Sequence, residues 1–386
     1  MHAPVRTRDL LRAASAALLR YRDPRAALEA HLRNAYAADH VALCGSGTQA
    51  LRLALRAARQ QAGNGAVALP AYTCFDVAAA AVAEDFPIVL YDVEPGTLAP
   101  DMDGVRRAFA QGARVLVVAP LFGLSPDWEA LCDCAAEHGA MVIEDAAQGH
   151  GASWRGRALG SWLPVSILSF ARGKGWTGGR GGVLLLRGGA VPSQQAGPTR
   201  LSAELRVLLE ATAQRVLGTP ALYALPSAMP GLGLGETSYR AAAVPVRLTR
   251  AAATLLTGSR QVADEEAAAR RRMAAWWEER IQRRHAVRTV VVHPEATAGY
   301  LRYPVRLAAG LNGWTDAAEA ARLGLAPVYP TTLSALPEVH RRLTNAGDAW
   351  PGAEELATHL ATLPTHSRLT NGERAQLLNL VNAYAT

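Results

Sequence analysis

The sequence predicts an α/β protein with a large, doubly wound and mostly parallel sheet, followed by a smaller α+β domain. Three observations support this prediction. Short apolar runs alternate with alanine-rich helical segments in the first half, 386 residues are too many for one simple domain, and half of the residues are apolar. Strands alternating with helices imply crossover connections and a sheet covered on both faces. Disordered, collagen-like and small disulfide-scaffold proteins are excluded.

The elements of the large domain follow from apolar runs and the residues that flank them. The predicted strands are Val41–Cys44, Val67–Leu69, Ile88–Asp92, Val115–Ala119, Met141–Glu144, Val165–Phe170 and Val183–Leu186. The predicted helices are Thr48–Arg59, Val77–Ala83 and Trp128–His138. Gly139 is a suitable C-terminal cap for the last of these helices. Ligands of such sheets bind at the carboxyl ends of the strands, so the residues just after each strand are the candidates for a site.

The second half begins with a loop of Gly, Ser, Gln and Pro over Gly188–Arg200. Helices are predicted at Ala203–Leu217 and Leu248–Leu256, with a Pro/Gly-rich stretch, Pro220–Gly235, between them, and then a long amphipathic helix at Ala263–Arg284. The remaining predicted elements are strands at Val290–His293 and Leu301–Leu307 and helices near Asp316–Leu323, Glu354–Leu360 and Glu373–Tyr384. We therefore expect a large domain over residues 1–245, including an N-terminal helical segment, and a small domain over residues 246–386.

Charge and cysteine content set further expectations. Lys and Arg together number 40 against 33 Asp and Glu, a net charge of +7 that is modest for this length. The basic run Arg270–Arg272 and the pair Arg283–Arg284 fit a solvated helix face, and we expect no nucleic-acid binding. The four cysteines have neither zinc nor redox spacing, so no metal site is predicted and free thiols in a reducing cytoplasm are expected. No long apolar run predicts a membrane span, and no signal peptide is indicated.

Lys174 is the only lysine of the chain. A bias toward arginine explains the absence of other lysines but not the presence of this one. Arginine replaces lysine where only positive charge is needed, but it cannot serve where a deprotonated primary amine must form a covalent bond. Lys174 is therefore a candidate for covalent catalysis.

Three segments at the ends of predicted strands contain the candidate catalytic and binding residues. The turn before Gly47 and Thr48 opens a helix and can bind an anion through free backbone N–H groups. Asp145 ends a strand, where its carboxylate can keep a pyridine nitrogen protonated. Lys174 follows the strand-end residue Ser169 in a glycine-rich loop. A phosphate anchor, an acid and an amine in this order are the plan of a pyridoxal phosphate (PLP) enzyme.

The sequence resembles the DegT/StrS-type aminotransferases, mostly sugar-nucleotide aminotransferases with the aspartate-aminotransferase fold. The resemblance rests on Glu-Asp-Ala-Ala-Gln at 144–148 with His150-Gly151-Ala152, and on Ser-Phe-x-x-x-Lys at 169–174. It implies that Lys174 is the Schiff-base lysine and proton shuttle, that Asp145 pairs with the pyridine nitrogen and that Gln148 contacts the phenolic oxygen. It also implies that the phosphate is held by Gly47, Thr48, Gln49 and Ser169. A homodimer is expected on the same ground.

The sequence departs from the family pattern at three places. Cys74 occupies the position where an aromatic residue commonly stacks on the cofactor, so the stacking residue is Tyr72 or Phe75. The usual acidic residue of the glycine-rich loop is replaced by Arg180, which favours an anionic substrate group; Arg172 is a second candidate for that contact. The stretch through which a partner subunit often reaches the phosphate has lost its asparagine, and is Ala243-Val244-Pro245-Val246-Arg247.

The sequence thus predicts a PLP-dependent transaminase. We expect an amino acid donor, glutamate in the first instance, and a keto acceptor that is a sugar nucleotide or a similar anionic carbonyl compound. Two alternatives stay open. One is another PLP-dependent reaction on the same scaffold, such as decarboxylation, acyl transfer or elimination. The other is a regulator that binds PLP without catalysis.

Overall fold

The fold is described from a computed structural model for residues 6–19, 23–188, 197–217, 238–281, 286–312 and 314–384. The predicted Pro220–Gly235 stretch, the pair Arg283–Arg284 and most of the predicted loop at Gly188–Arg200 lie outside these residues. Among the described residues, no helix combines the length and the apolar character that a membrane crossing requires. All four cysteines are free thiols.

A seven-stranded sheet forms the centre of the larger part of the molecule. Its strands are β1 (His40–Cys44), β2 (Ala66–Pro70), β3 (Ile88–Tyr91), β4 (Ala113–Val118), β5 (Met141–Asp145), β8 (Val165–Ser169) and β9 (Gly182–Leu186). They lie in the order β1-β9-β8-β5-β4-β2-β3. The strand β9 alone runs opposite to the other six strands, so the predicted α/β class with a mostly parallel sheet is confirmed. The two short strands β6 (Ser153–Trp154) and β7 (Arg157–Ala158) form a separate small sheet with β11 (Ala296–Thr297).

Both faces of the large sheet are buried, as expected for a doubly wound fold. Alternate residues of β4 enter two different apolar clusters: Val115 and Val117 belong to one, and Leu116 and Val118 to the other. Successive side chains of a strand point to opposite faces. The near-continuous apolar strands in the sequence therefore reflect a sheet with helices on both sides.

The helices of the first half connect these strands or precede them. They are α1 (Thr7–Leu19), α2 (Pro24–Ala35), α3 (Gly47–Ala62), α4 (Phe75–Ala83), α5 (Met102–Ala110) and α6 (Trp128–Glu137). The α5 helix was not predicted. Its N-cap Asp101 accepts hydrogen bonds from the backbone nitrogens of Asp103 and Gly104, a local signal that the alanine-based pattern does not contain.

The second half contains one helix where two were predicted. After α7 (Leu201–Leu217), a single helix α8 (Arg250–Arg280) replaces the predicted pair Leu248–Leu256 and Ala263–Arg284. Gly258 lies inside this helix, and a Cβ atom there would lie 2.7 Å from Asp9 Oδ1 of α1, so the Asp9 side chain would have to move. The glycine marks a close helix contact and not a helix end.

A four-stranded antiparallel sheet forms the smaller part, in the order β10-β12-β14-β13. Its strands are β10 (Val287–Thr289), β12 (Tyr303–Leu307), β13 (Ala326–Pro327) and β14 (Leu360–Leu363). The helices around it are α9 (Ala317–Arg322), α10 (Pro337–His340), α11 (Pro351–His359) and α12 (Asn371–Ala383). The predicted strand Val290–His293 is wrong, since pairing ends at Thr289 and Val291 is 65% exposed.

Hydrogen bonds connect the part of the molecule around the large sheet to the part around the small antiparallel sheet. Asp92, just after β3, accepts hydrogen bonds from the backbone nitrogens of Gly352 (2.9 Å) and Ala353 (2.8 Å) at the start of α11. The large sheet lies within residues 40–186 and the small antiparallel sheet within residues 287–363, with α8 between them. The domain boundary at 245 and 246 stays a prediction.

Candidate active site at the carboxyl ends of the strands

A cleft lies where β1, β5 and β8 end. It encloses about 620 Å³, including space open to solvent. The predicted site residues that line it are Gly47, Thr48, Asp145, Gln148, Ser169 and Lys174. The topology explains the meeting of these distant residues, because parallel strands place their carboxyl ends at one edge of the sheet.

The turn between β1 and α3 forms an anion cradle. Ser46 is the N-cap of α3, and its Oγ accepts a hydrogen bond from Gln49 N at 3.2 Å. Gly47 is packed so closely on the end of β8 that a Cβ atom would lie 2.8 Å from Ser169 Oγ. Free backbone N–H groups and the positive end of a sixteen-residue helix therefore face the cleft beside a serine hydroxyl.

Gln49 holds this turn from behind. It does not line the cleft, and its Oε1 accepts hydrogen bonds from Gly45 N at 3.1 Å and from Val246 N at 3.0 Å. The side chain thus ties the cradle to the segment before α8. A direct phosphate contact by Gln49 stays a prediction.

Asp145 is a buried carboxylate at the last position of β5. Its Oδ1 accepts a hydrogen bond from Ala147 N at 3.0 Å. Burial raises the pKa of Asp145 to about 6, against the lowering effects of that hydrogen bond and of the positive charge on Lys174. A cationic group placed against this carboxylate would favour its ionised form.

Lys174 reaches the cleft from the loop after β8. Its backbone N–H donates to Ala171 O at 3.1 Å, which closes a tight turn with Gly173 in the left-handed region at φ +81°. The side chain is half-buried. Within the part of the chain that the structure describes, the Lys174 ammonium has no hydrogen bond or ion pair, so a ligand in the cleft can engage it.

Gln148 lines the cleft and is held by two partners. Its Oε1 accepts from Phe122 N at 2.9 Å, and its Nε2 donates to the Tyr329 hydroxyl at 3.3 Å. Tyr329 follows β13 in the smaller part of the molecule, and no sequence motif pointed to it. Burial raises the pKa of the Tyr329 hydroxyl well above its ordinary value, so this group donates or accepts hydrogen bonds as a neutral phenol.

The structure separates the three candidates for stacking on a flat ligand. Cys74 lines the cleft, whereas Tyr72 and Phe75 do not. Both aromatic rings pack against Tyr329, with centroid distances of 5.4 and 6.2 Å. Burial raises the pKa of the Cys74 thiol to about 11. A cofactor contact by Tyr72 stays a prediction.

Arg172 and Arg180 are exposed and lie outside the residues that line the cleft. The Arg180 guanidinium donates to both carboxylate oxygens of Glu210 in α7, at 2.7 and 2.6 Å. Burial of Glu210 opposes the shift, but the hydrogen bonds from Arg180 and the charges of Arg180 and Arg172 hold its pKa below the ordinary value. A substrate contact by either arginine stays a prediction.

Sequence reasoning missed the role of Glu144, the residue before Asp145. Its side chain is fully buried and accepts hydrogen bonds from Gly160 N (2.5 Å), Trp162 N (3.2 Å) and Ser166 Oγ (2.9 Å). The signal was present as a carboxylate inside an apolar strand, which must be satisfied when buried. Glu144 ties the strand that carries Asp145 to the segment leading into β8.

The comparisons with known proteins concern the family and the fold. The model of the DegT/DnrJ/EryC1/StrS aminotransferase family matches residues 8–382. A DegT/DnrJ/EryC1/StrS aminotransferase from Brucella abortus has a similar structure, with a TM-score of 0.76 over 98% of this chain and 95% of that chain at 20% identity. At this identity the likeness shows the fold alone.

Two curated proteins share a shorter stretch of sequence. The L-glutamine:2-deoxy-scyllo-inosose aminotransferase of Streptomyces kanamyceticus is 35% identical over 146 residues, which are 38% of this chain and 34% of that protein. The 3-amino-5-hydroxybenzoate synthase of Amycolatopsis mediterranei (strain S699) is 32% identical over 154 residues, 40% of this chain and 39% of that protein. The chain thus spans little more than a third of the length of either relative.

Proposed function

Because the chain belongs to the DegT/DnrJ/EryC1/StrS aminotransferase family, whose members depend on pyridoxal phosphate, we propose that it moves an amino group from an amino acid to the keto group of a sugar-like acceptor. The predicted family, one of aminotransferases, and the predicted cofactor are confirmed. The main support for the proposed reaction is that a helix N-terminus, Asp145 and the only lysine of the chain line the same cleft.

The residues that line the cleft fit this cofactor. The cradle at Gly47 and Thr48, with the Ser169 hydroxyl, offers N–H and O–H donors for the phosphate. Gln148 offers an amide to the phenolic oxygen of the ring. When bound, the cofactor supplies an aldehyde that condenses with amines and a ring that withdraws electrons from the reacting carbon.

Asp145 holds a proton on the ring nitrogen. Its carboxylate is buried, so a cation placed against it gains more than it would in water. The hydrogen bond from Ala147 N fixes the direction of the carboxylate. Asp145 thereby keeps the ring in the form that withdraws electrons best.

Lys174 has two tasks. Its Nζ would hold the cofactor covalently at rest, and as a free amine it would take up and return the proton at the substrate carbon. Arginine cannot do either, since its guanidinium stays protonated. Lys174 is half-buried and lines the cleft, so its Nζ is placed to approach a ligand bound there.

The two substrates are proposed from the residues of the cleft and from the relatives. One relative is named for glutamine as donor and an inosose as acceptor, which supports a sugar-like ketone. The sequence predicts glutamate as the amino donor. Both glutamate and glutamine should therefore be tested as donors. A sugar nucleotide was expected from the family resemblance, and an anionic group on the acceptor was expected because of Arg180. Since Arg180 donates to Glu210, the proposal retains only the sugar-like ketone.

A half-reaction tests the proposal. The PLP-loaded protein, mixed with glutamate or with glutamine without acceptor, should release one equivalent of the corresponding 2-oxo acid and retain the pyridoxamine form. Release of carbon dioxide would indicate a different reaction. So would release of ammonia without conversion of the cofactor to the pyridoxamine form. A protein that binds PLP but processes no amino acid would instead support a regulator.

Three other expectations are part of the proposal. We infer a homodimer from the family resemblance, a cytoplasmic location and no affinity for nucleic acid. Sedimentation that shows an active monomer would contradict the first. Binding to arbitrary DNA that weakens steeply with salt would contradict the last.

A further inference from the structure

Asp76 lines the cleft but has no part in holding the cofactor as assigned above. It lies in the first turn of α4, two residues after Cys74. Its side chain is exposed. Within the described residues Asp76 makes no side-chain hydrogen bond and no ion pair, so its carboxylate is available to a ligand.

The charges of the cleft are unevenly distributed. Among the described residues that line it, the acidic side chains are Asp76 and Asp145, and Lys174 is the only basic one. Asp145 is assigned to the ring nitrogen and Lys174 to the aldehyde. Asp76 is therefore the charge left for the second substrate, and it is negative.

The arginines that could favour an anionic acceptor lie elsewhere. Arg180 is bound to Glu210, and Arg172 is exposed outside the lining of the cleft. A phosphate near Asp76 would therefore meet a like charge without a compensating cation from these residues.

A second polar group beside Asp76 has no partner. Thr73 is 1% exposed, lines the same cleft, and its Oγ1 forms no hydrogen bond with any described residue. Buried hydroxyl groups nearly always have a partner, so a ligand is expected to supply one. Thr73 Oγ1 can donate and accept, whereas the Asp76 carboxylate only accepts.

We propose that Asp76 determines acceptor specificity by accepting hydrogen bonds from the hydroxyl groups of a neutral, polyhydroxylated ketone and by disfavouring ketones that carry phosphate. The inference rests on the proposed transamination and narrows its substrate class. Two adjacent hydroxyl groups match the two oxygens of one carboxylate, and Thr73 can bind a third hydroxyl.

Asp76 also stabilises helix α4, and the test must separate this effect from binding of the acceptor ketone. A carboxylate in the first turn of a helix interacts favourably with the helix dipole. That contribution is present without substrate and does not depend on which ketone is offered. Glu354, an exposed carboxylate in the first turn of α11, provides the matched control.

The experiment uses the full chain loaded with pyridoxamine phosphate. Single-turnover rates are measured with scyllo-inosose as the neutral ketone and with a uridine-diphosphate-linked 4-keto-6-deoxyhexose as the anionic one. Wild type, Asp76→Asn, Asp76→Ser and the control Glu354→Gln are compared, and urea unfolding is recorded for each. The Asp76→Asn side chain has the same size, so the fold is expected to be kept.

We expect wild type and Glu354→Gln to prefer the neutral ketone. In both Asp76 variants the ratio of neutral to anionic rates should fall about tenfold or more, the effect of losing a hydrogen bond to a charged group. A ratio unchanged in both variants, or a wild type that prefers the anionic ketone, overturns the role of Asp76 while leaving transamination in place. A loaded wild type that aminates neither ketone overturns the proposed acceptor class, and the role of Asp76 with it.

Discussion

Lys174 is the residue whose chemistry arginine cannot reproduce. Lys174 is the only lysine of the chain. The variant Lys174→Arg preserves the positive charge and removes the amine that can lose its proton. We expect the variant to fold with wild-type stability in urea and to lose at least about 10³-fold in transamination rate, in the range of a missing general acid–base.

The double variant Lys174→Arg/Arg172→Lys serves as the control for position. It restores one amine two residues away, on an exposed side chain, and should stay as inactive as the single variant. Activity in either variant would show that the amine of residue 174 is not required.

Asp145 makes cofactor affinity depend on pH. Burial raises the pKa of Asp145 to about 6 in the free protein, and the protonated ring of the cofactor lowers that pKa on binding. A group whose pKa falls on binding favours the complex above its free pKa and ceases to do so as pH falls. The dissociation constant of PLP, measured by equilibrium dialysis, should therefore increase as pH falls below about 6.

The cofactor phosphate titrates in the same range, so Asp145→Asn is needed for comparison. This variant should bind PLP more weakly at pH 8 and lack the part of the pH dependence that belongs to Asp145. Identical pH profiles for the two proteins would refute the assignment.

Glu144 contributes to stability and not to chemistry. In Glu144→Ala, the backbone N–H groups of Gly160 and Trp162 lose their acceptor inside the protein, and the Ser166 hydroxyl can donate only its longer hydrogen bond to Leu163 O. Each unsatisfied buried group costs about 1–3 kcal/mol, so the free energy of unfolding in urea should fall by about 3 kcal/mol or more. Glu144→Gln, which keeps one acceptor oxygen, should lose less. Equal stability of Glu144→Ala and wild type would contradict this interpretation.

At the scale of elements, the cofactor cradle depends on how closely β9 approaches the turn before α3. A Cβ atom at Gly182 would overlap the Ser46 carbonyl and lie 2.6 Å from Gly47 N. Gly182→Ala must therefore displace the backbone that is assigned to the phosphate, and we expect PLP affinity to fall at least about tenfold, since loss of about 1.4 kcal/mol suffices for that change.

Gly347→Ala is the matched control, because no atom lies within 4 Å of a Cβ at that position. Its PLP affinity should equal that of wild type. If Gly182→Ala also binds PLP normally, the cradle tolerates movement and does not hold the phosphate.

Elements whose formation depends on neighbouring residues were predicted well from the sequence. The strands that end at Cys44, Asp145 and Ser169 are marked by apolar runs followed by small or polar residues, so the carboxyl edge of the sheet could be located. Elements that depend on distant contacts were predicted poorly. The single helix α8 was predicted as two helices because its packing against α1, close at Gly258, cannot be read from local sequence. The first strand of the small sheet was predicted three residues too late for the same reason.

The same division holds for the site. The positions of Lys174, Asp145 and the cradle in the cleft were predictable because each lies at or just after the end of a strand and carries a distinctive group. Tyr329 was not, since it reaches Gln148 from a loop 181 residues away. Asp76 was also missed, because only the three-dimensional lining of the cleft distinguishes it from an ordinary first-turn acid.

At the scale of the whole molecule, the amino-acid composition allows covalent attachment of the cofactor to Lys174 to be measured directly. The excess of positive charge resides almost entirely in arginine, so Lys174 is the only side chain with a primary amine. An imine between the cofactor aldehyde and a side-chain amine can therefore form at one position of 386. Apart from the N-terminal amine, borohydride reduction can fix PLP nowhere else.

The measurement is mass spectrometry of the PLP-loaded protein after borohydride reduction, followed by peptide mapping. We predict one phosphopyridoxyl group per chain, on the peptide that contains Lys174, with loss of the visible absorption band and none of this in Lys174→Arg. An unmodified Lys174 peptide from a protein saturated with PLP, or a label confined to the N-terminal peptide, would contradict the assignment of Lys174 as the catalytic amine.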